Sequence, residues 1–440
     1  MFELLLKGGT VVNQDGRQSV DVGIADGRIV ALGQLDAGKA DEVVDCSGLH
    51  ILPGVIDSQV HFREPGAEHK EDLETGSRAA VMGGVTAVFE MPNTWPTTVT
   101  AETLADKVSR AHHRMFCDFA FYVGGTRENI DVLPELERLP GAAGVKVFMG
   151  SSTGDLLIDD AKVLGDLLKK LNRRAAFHSE DEGRLRERMD VRRVDDPTSH
   201  PEWRDVEAAM LSTKRLVRLA HEANAQIHVL HISTAEEMAY LADHKDIASV
   251  EVTPQHLTLA GPEIYNEIGT RAQMNPPIRD ARHRDGLWDG MRQGVVDVLG
   301  SDHAPHTLEE KSASYPATPS GMPGVQTLVP IMLDHVNAGK LSLERFVDLT
   351  SHGPQRLFGI EGKGRLAVGY DADITVVDLK REMVITDAKM ESRSDWTPYD
   401  GRKVRGWPVG TIIRGARVMW DGEILGQAQG EAVKFQFCEE

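Results

Sequence analysis

Residues 51–66 read ILPGVIDSQVHFREPG. An apolar, strand-forming run closes on Gln59, His61 and Arg63, and the proline and glycine that follow stop the strand. Seven more runs of this kind lie downstream: TAVFEM (86–91), DFAFYV (118–123), GVKVFM (144–149), RAAFH (174–178), QIHVLHI (226–232), ASVEVT (248–253) and VVDVLG (295–300). Segments with apolar residues at three- and four-residue steps alternate with them, as in LETGSRAAVMGG (73–84), AKVLGDLLKKLN (161–172), VEAAMLSTKRLVRLAHEAN (206–224) and AEEMAYLADH (235–244), while LERFVDLTSHG (343–353) follows the last strand.

Strand–helix alternation predicts parallel βα units, and eight strands is the number that closes a TIM (β/α)8 barrel. The charged, proline-bearing stretch from Gly183 to Trp203 reads as an insertion between the fifth strand and its helix. Both ends of the chain have a different grammar of short β-rich runs and glycine turns. LLLKGGTVV, DVGIADGRIVALG and EVVDCSGLHILPG come first, and GRLAVGYDADITVVDL and GTIIRGARVMWDGEIL come last, with a hairpin turn at Asp421–Gly422. The expected division is a β-sandwich built from residues 1–52 and 358–440 around a barrel of residues 53–357.

The chain has 440 residues, 41% hydrophobic and 27% charged, and no run approaches the roughly 20 apolar residues that cross a bilayer. The N-terminus lacks the basic start of a signal peptide, and three scattered cysteines, Cys46, Cys117 and Cys438, suit a reducing, cytoplasmic setting. A formal charge of −19 argues against nucleic acid and anionic membranes as partners. A small anionic substrate is compatible with it, because a few local cations reverse the field within a site.

In a barrel of this kind the chemistry sits at the C-terminal ends of the strands. Those ends carry Gln59, His61 and Arg63, then Asn93, Lys146, His178 and His231, and finally Asp302, His303 and His306. One histidine so placed is most often a hydrogen-bonded structural residue. Three histidines, an aspartate and a lysine at one mouth suit a divalent metal with nitrogen and oxygen ligands.

The motifs DSQVHFREPG (57–66), EMPNTWPT (90–97), GVKVFMGSSTG (144–154) and GSDHAPHT (300–307), with the terminal β-rich segments, resemble the amidohydrolase superfamily and, within it, the dihydroorotase family. The resemblance implies zinc, one or two ions per chain, with Lys146 carboxylated and bridging. His61 and Asp302 would hold one ion and His178 and His231 the other. It implies hydrolysis of a cyclic amide, Asp302 taking a proton from the attacking water and passing it to the leaving nitrogen. Arg63, Asn93 and His306 would grip the carboxylate of dihydroorotate or carbamoyl aspartate, Asn275 of MNPPIR would add a substrate contact, and the loop from Thr307 to Gln326 would close the site. A homodimer is expected on the same ground.

Two positions depart from the family pattern. Its first strand ends in His-x-His, both imidazoles facing one metal, whereas this chain has Gln59 and His61. Glutamine is the weaker zinc donor, so the site of His61 and Asp302 is expected to bind metal less firmly, with Gln59 a weak or absent ligand. Gln255, in PQHL, stands where a histidine is expected and is read as structural or as supporting the site's ligands from behind. Allantoinase and hydantoinase activities are the alternative enzymatic readings. An inactive homologue that partners aspartate carbamoyltransferase is the non-enzymatic one.

Overall fold

Eight parallel strands run in chain order around a barrel: Val55–Val60, Val85–Glu90, Asp118–Gly124, Ala142–Phe148, Ala175–His178, Ile227–Val229, Ala248–Val252 and Val298–Leu299. The eighth approaches the first through a parallel bridge between Val60 and His303, and His61 N–H donates to His303 C=O at 2.7 Å. The computed structural model describes residues 1–150 and 156–436. Residues 151–154 of the GVKVFMGSSTG motif and Cys438 lie outside the described residues.

Every residue of all eight strands is buried, as expected where helices cover the outside of the barrel and side chains fill its inside. The helices predicted from periodicity form at Leu73–Met82, Ala161–Lys170, Val206–Ala223 and Ala235–Ala242. The first is fixed at its start by a capping box between Asp72 and Thr75. LERFVDLTSHG is also helical, but a π-helical turn at Asp348–His352 interrupts it. Helices Ala101–Ala111, Ala281–Arg292 and Leu328–Asn337 complete the set. The insertion after the fifth strand folds into short helical turns, anchored by Trp203 Nε1 donating to Leu185 C=O at 2.7 Å.

The chain ends pair into two further sheets. Four N-terminal strands form one, in the order Arg28–Gly33, Asp21–Ala25, Phe2–Lys7, Ala40–Asp45. A seven-stranded sheet joins both ends, with Ile374–Val384 antiparallel to His50–Pro53. Asp421 and Gly422, at φ 50° and 87°, make the hairpin between Ala416–Trp420 and Glu423–Ile424. Leu4, Leu6, Val22, Ile24, Ile374 and Ile412 are buried between these layers.

Two stretches of the C-terminal segment pack elsewhere. Ile385, Trp396 and Tyr399 join Leu259, Tyr265, Met274 and Met322 in an apolar cluster beside the mouth, where Trp396 Nε1 donates to His306 C=O at 2.7 Å. Val433 and Phe435 pack with Phe89, Tyr122 and Phe358, and Val433 N–H donates to Phe119 C=O at 2.9 Å. Each such side chain contributes about 1.5–3 kcal/mol by burial.

Candidate active site

At the C-terminal mouth a cavity of about 100 Å³ is lined by Gln59, His61, Arg63, Asn93, Lys146, Phe148, His178, His231, Asn275, Asp302, Ala304, Ser320 and Gly321. Three of these, Arg63, His231 and Asp302, hold left-handed backbone conformations, at φ 65°, 37° and 44°. Non-glycine residues adopt such angles only when their surroundings enforce them, and they concentrate where side chains must be aimed.

His178 Nε2 donates to Glu180 Oε2 at 2.7 Å, and Arg204 holds the same carboxylate through Nε and Nη2 at 3.0 and 2.6 Å. This fixes the tautomer, leaving Nδ1 of His178 as a lone pair that faces Nε2 of His231 at 3.1 Å. His231 Nδ1 is buried without a hydrogen-bond partner. On the other side His61 Nδ1 donates to Asn93 Oδ1 at 2.8 Å, which turns its Nε2 toward Asp302 Oδ1 at 3.2 Å. Both pairs have spacings close to the ligand–ligand edge of a tetrahedral zinc ion, about 3.3–3.4 Å for bonds of 2.0–2.1 Å. The donor set fits zinc.

Gln59 does not offer its oxygen to this group. Its Nε2 donates to Asp302 Oδ1 at 3.0 Å, while Oε1 is buried and unpartnered. Burial would raise the Asp302 carboxyl, but the adjoining His61, His231 and Lys146 outweigh it and hold the group well below the ordinary carboxylate range. Lys146 is fully buried, with Nζ 4.5 Å from the centre of the Phe148 ring. Burial lowers its pKa to about 7, against the weaker pull of Asp302 and Glu251.

The anion-binding side centres on Arg63. Its Nε donates to Pro305 C=O at 3.1 Å, and among the described residues no carboxylate pairs with its guanidinium. Burial lowers its pKa to about 10, so it is charged at neutral pH. Asn93 and Asn275 each use Oδ1 on a histidine, His61 and His200, leaving their amide N–H groups for the cavity. His306 stands behind the site. Its Nε2 donates to Ser320 C=O at 3.1 Å and lies 3.4 Å from Arg63 Nη2, and its Nδ1 accepts from Lys70 at 3.2 Å.

His303 points away from the mouth, to Glu71 Oε2 at 3.2 Å and the Gly324 N–H at 3.1 Å. Gln255 Nε2 ties the seventh strand's end to Ser301 C=O at 2.7 Å. Ser320 and Gly321 bring the Thr307–Gln326 loop to the cavity. Glu180, Arg204 and His200 were missed in the sequence. The first was discoverable, since it lies two residues beyond His178; His200 comes from the insertion and Arg204 directly follows it, and periodicity does not give that path.

A family model described as the amidohydrolase family matches residues 50–418. Among curated proteins, a dihydroorotase of Halobacterium salinarum is 37% identical over 94% of this chain and 99% of its own length. An allantoinase of Escherichia coli is 33% identical over 94% of both chains. Among solved structures, an L-hydantoinase (dihydropyrimidinase) from Arthrobacter aurescens superposes with a TM-score of 0.94 at 29% identity, covering 98% of this chain and 100% of that one. The chain belongs to the amidohydrolase family and is a hydrolase of cyclic amides.

Proposed function

We propose that this amidohydrolase is a dihydroorotase, opening (S)-dihydroorotate reversibly to N-carbamoyl-L-aspartate in pyrimidine biosynthesis. The observation that carries the reading is Arg63. A charged guanidinium lining the cavity, with no carboxylate partner among the described residues, needs an anion there. Dihydroorotate bears a carboxylate, whereas hydantoin and allantoin do not. The amide N–H groups of Asn93 and Asn275 converge on the same cavity and complete a cradle for it. His306 supports the cradle from behind by holding Lys70 and the Ser320 carbonyl.

His61 and Asp302 would hold one zinc ion, His178 and His231 a second, with Lys146 between them. Bound zinc supplies Lewis-acid polarisation of the ring carbonyl and an acidified water. Lys146 serves this role as a carbamate. A buried amine with its pKa near 7 is substantially unprotonated at neutral pH. Its nitrogen attacks carbon dioxide, an N–C bond forms, one proton leaves, and the anion suits a dication where an ammonium would repel it.

Asp302 is ionised and lines the cavity, placed to act as the base. As the water oxygen bonds to the ring carbonyl carbon, an Asp302 oxygen takes the water's proton. As the carbon–nitrogen bond breaks, that proton passes to the leaving ring nitrogen. Gln59 steadies the carboxylate by its 3.0 Å hydrogen bond but adds no anionic or imidazole ligand, so the position at His61 and Asp302 is the weaker of the two.

The test is ultraviolet assay of dihydroorotate ring opening by zinc-replete protein beside hydantoin and allantoin. Turnover of dihydroorotate is expected. Turnover of hydantoin or allantoin alone would move the assignment to those activities. No turnover of any of them, with co-purification of aspartate carbamoyltransferase, would establish the non-enzymatic role.

A further inference from the structure

We infer that His221, His244 and Asp246 form a second metal site, for a zinc-class divalent cation, at the base of the barrel. His221 lies in the last turn of the helix Val206–Ala223, and His244 and Asp246 lie in the connection between the helix Ala235–Ala242 and the seventh strand. Both connections feed the N-terminal ends of strands. His178, His231 and Asp302 stand at C-terminal ends, so the two groups occupy opposite faces.

The three side chains offer one ligand atom each within 4.8 Å of one another, the sole such His, Cys, Asp or Glu cluster found among the described residues. His221 Nε2 lies 3.3 Å from His244 Nδ1; Asp246 Oδ2 lies 3.8 Å from the other nitrogen of the same ring, so with His221 ligating through Nε2 the exposed carboxylate closes on the ion by side-chain rotation. Two nitrogens bound at 2.0–2.1 Å to a tetrahedral ion stand about 3.3–3.4 Å apart, and the pair already has this spacing.

The backbone holds the imidazoles in place without the ion. His244 N–H donates to Leu241 C=O at 3.1 Å, its own carbonyl accepts from Ala248 N–H at 2.9 Å, and its ring packs on Tyr240 with centroids 4.5 Å apart. The His221 carbonyl accepts from Asn224 N–H at 3.2 Å, within a left-handed helix cap. Among the described residues, His221 is the only ion-pair partner of Asp246. The Asp246 and His221 side chains are 64% and 41% exposed, so a cation reaches them from solvent. Two imidazoles with one carboxylate select zinc, nickel or copper over calcium or magnesium. A bound ion would tie two neighbouring connections and stabilise the fold by linkage.

Protein loaded with zinc at the catalytic mouth and freed of loosely held metal is titrated calorimetrically with Zn2+. Wild type is expected to take up one equivalent per chain beyond any that refills the weaker position at His61 and Asp302. His221→Ala and His244→Ala should each weaken uptake of that equivalent by at least about 10-fold. Equal uptake by wild type and both histidine variants overturns the site, as does absence of uptake by wild type. Anomalous diffraction from a zinc-soaked crystal needs no variant: a peak between the two imidazoles is expected, and bare density there overturns the proposal.

Discussion

Gln59 reaches Asp302 with an N–H, and an N–H directed at a cation's place repels it where an imidazole lone pair would bind it. Gln59→His should therefore raise the zinc retained after dialysis from nearer one ion per chain toward two, measured by elemental analysis. No rise would mean that Gln59 already serves as a ligand. Glu180 acts one step further out, by fixing the His178 ring. Glu180→Gln should weaken zinc binding by roughly 10–100-fold, read by competition with a chelator, with secondary structure retained. The residues aimed into the mouth were legible because strand ends in a barrel announce themselves. Glu180, Arg204 and His200 were less so, since their roles depend on which side chain each one touches. His306 was legible as a site residue, but its commitment to Ser320 and Lys70 emerges only from the packing of the loop.

Among the elements, the eight strands were readable because each is a short apolar run bounded by turn signals and buried on both faces. The helix Ala281–Arg292 escaped notice because ARHRDGLWDGMR contains two glycines and five charges, and its buried face mixes Leu287, Trp288 and Met291 with His283 and Gly290. The C-terminal stretch was harder still. Nothing in AVKFQ (432–436) distinguishes a sandwich strand from a segment that leaves the sandwich to pack on the barrel floor. Phe435 is 3% exposed there, with its ring 4.7 Å from the Arg173 guanidinium. Phe435→Ala should cost about 3–5 kcal/mol in chemical denaturation. A loss within about 0.5 kcal/mol would mean that the floor is not part of the cooperative fold.

For the molecule as a whole, buried histidines set the acid limit. Burial, helped by nearby cations, lowers His200, His228 and His335 to about 3. In the unfolded chain they titrate near about 6.5. Their folded pKa values are depressed, so the unfolded chain binds more protons between the two values. The stability they contribute is complete above pH ~6.5 and is lost as pH falls toward ~3. Thermal midpoints should fall steadily across that window, and a flat profile would refute the assignment of neutral imidazoles. The central claim is that Arg63 makes this family fold selective for a carboxylate-bearing ring. Dihydrouracil is dihydroorotate without its carboxylate, so the ratio of kcat/KM for the two isolates that contact. A charge-assisted contact of about 1.5–3 kcal/mol predicts a roughly 10- to 150-fold preference for dihydroorotate in wild type, collapsing toward parity in Arg63→Met. Equal turnover of both rings by wild type, or a preference that survives Arg63→Met, would contradict it.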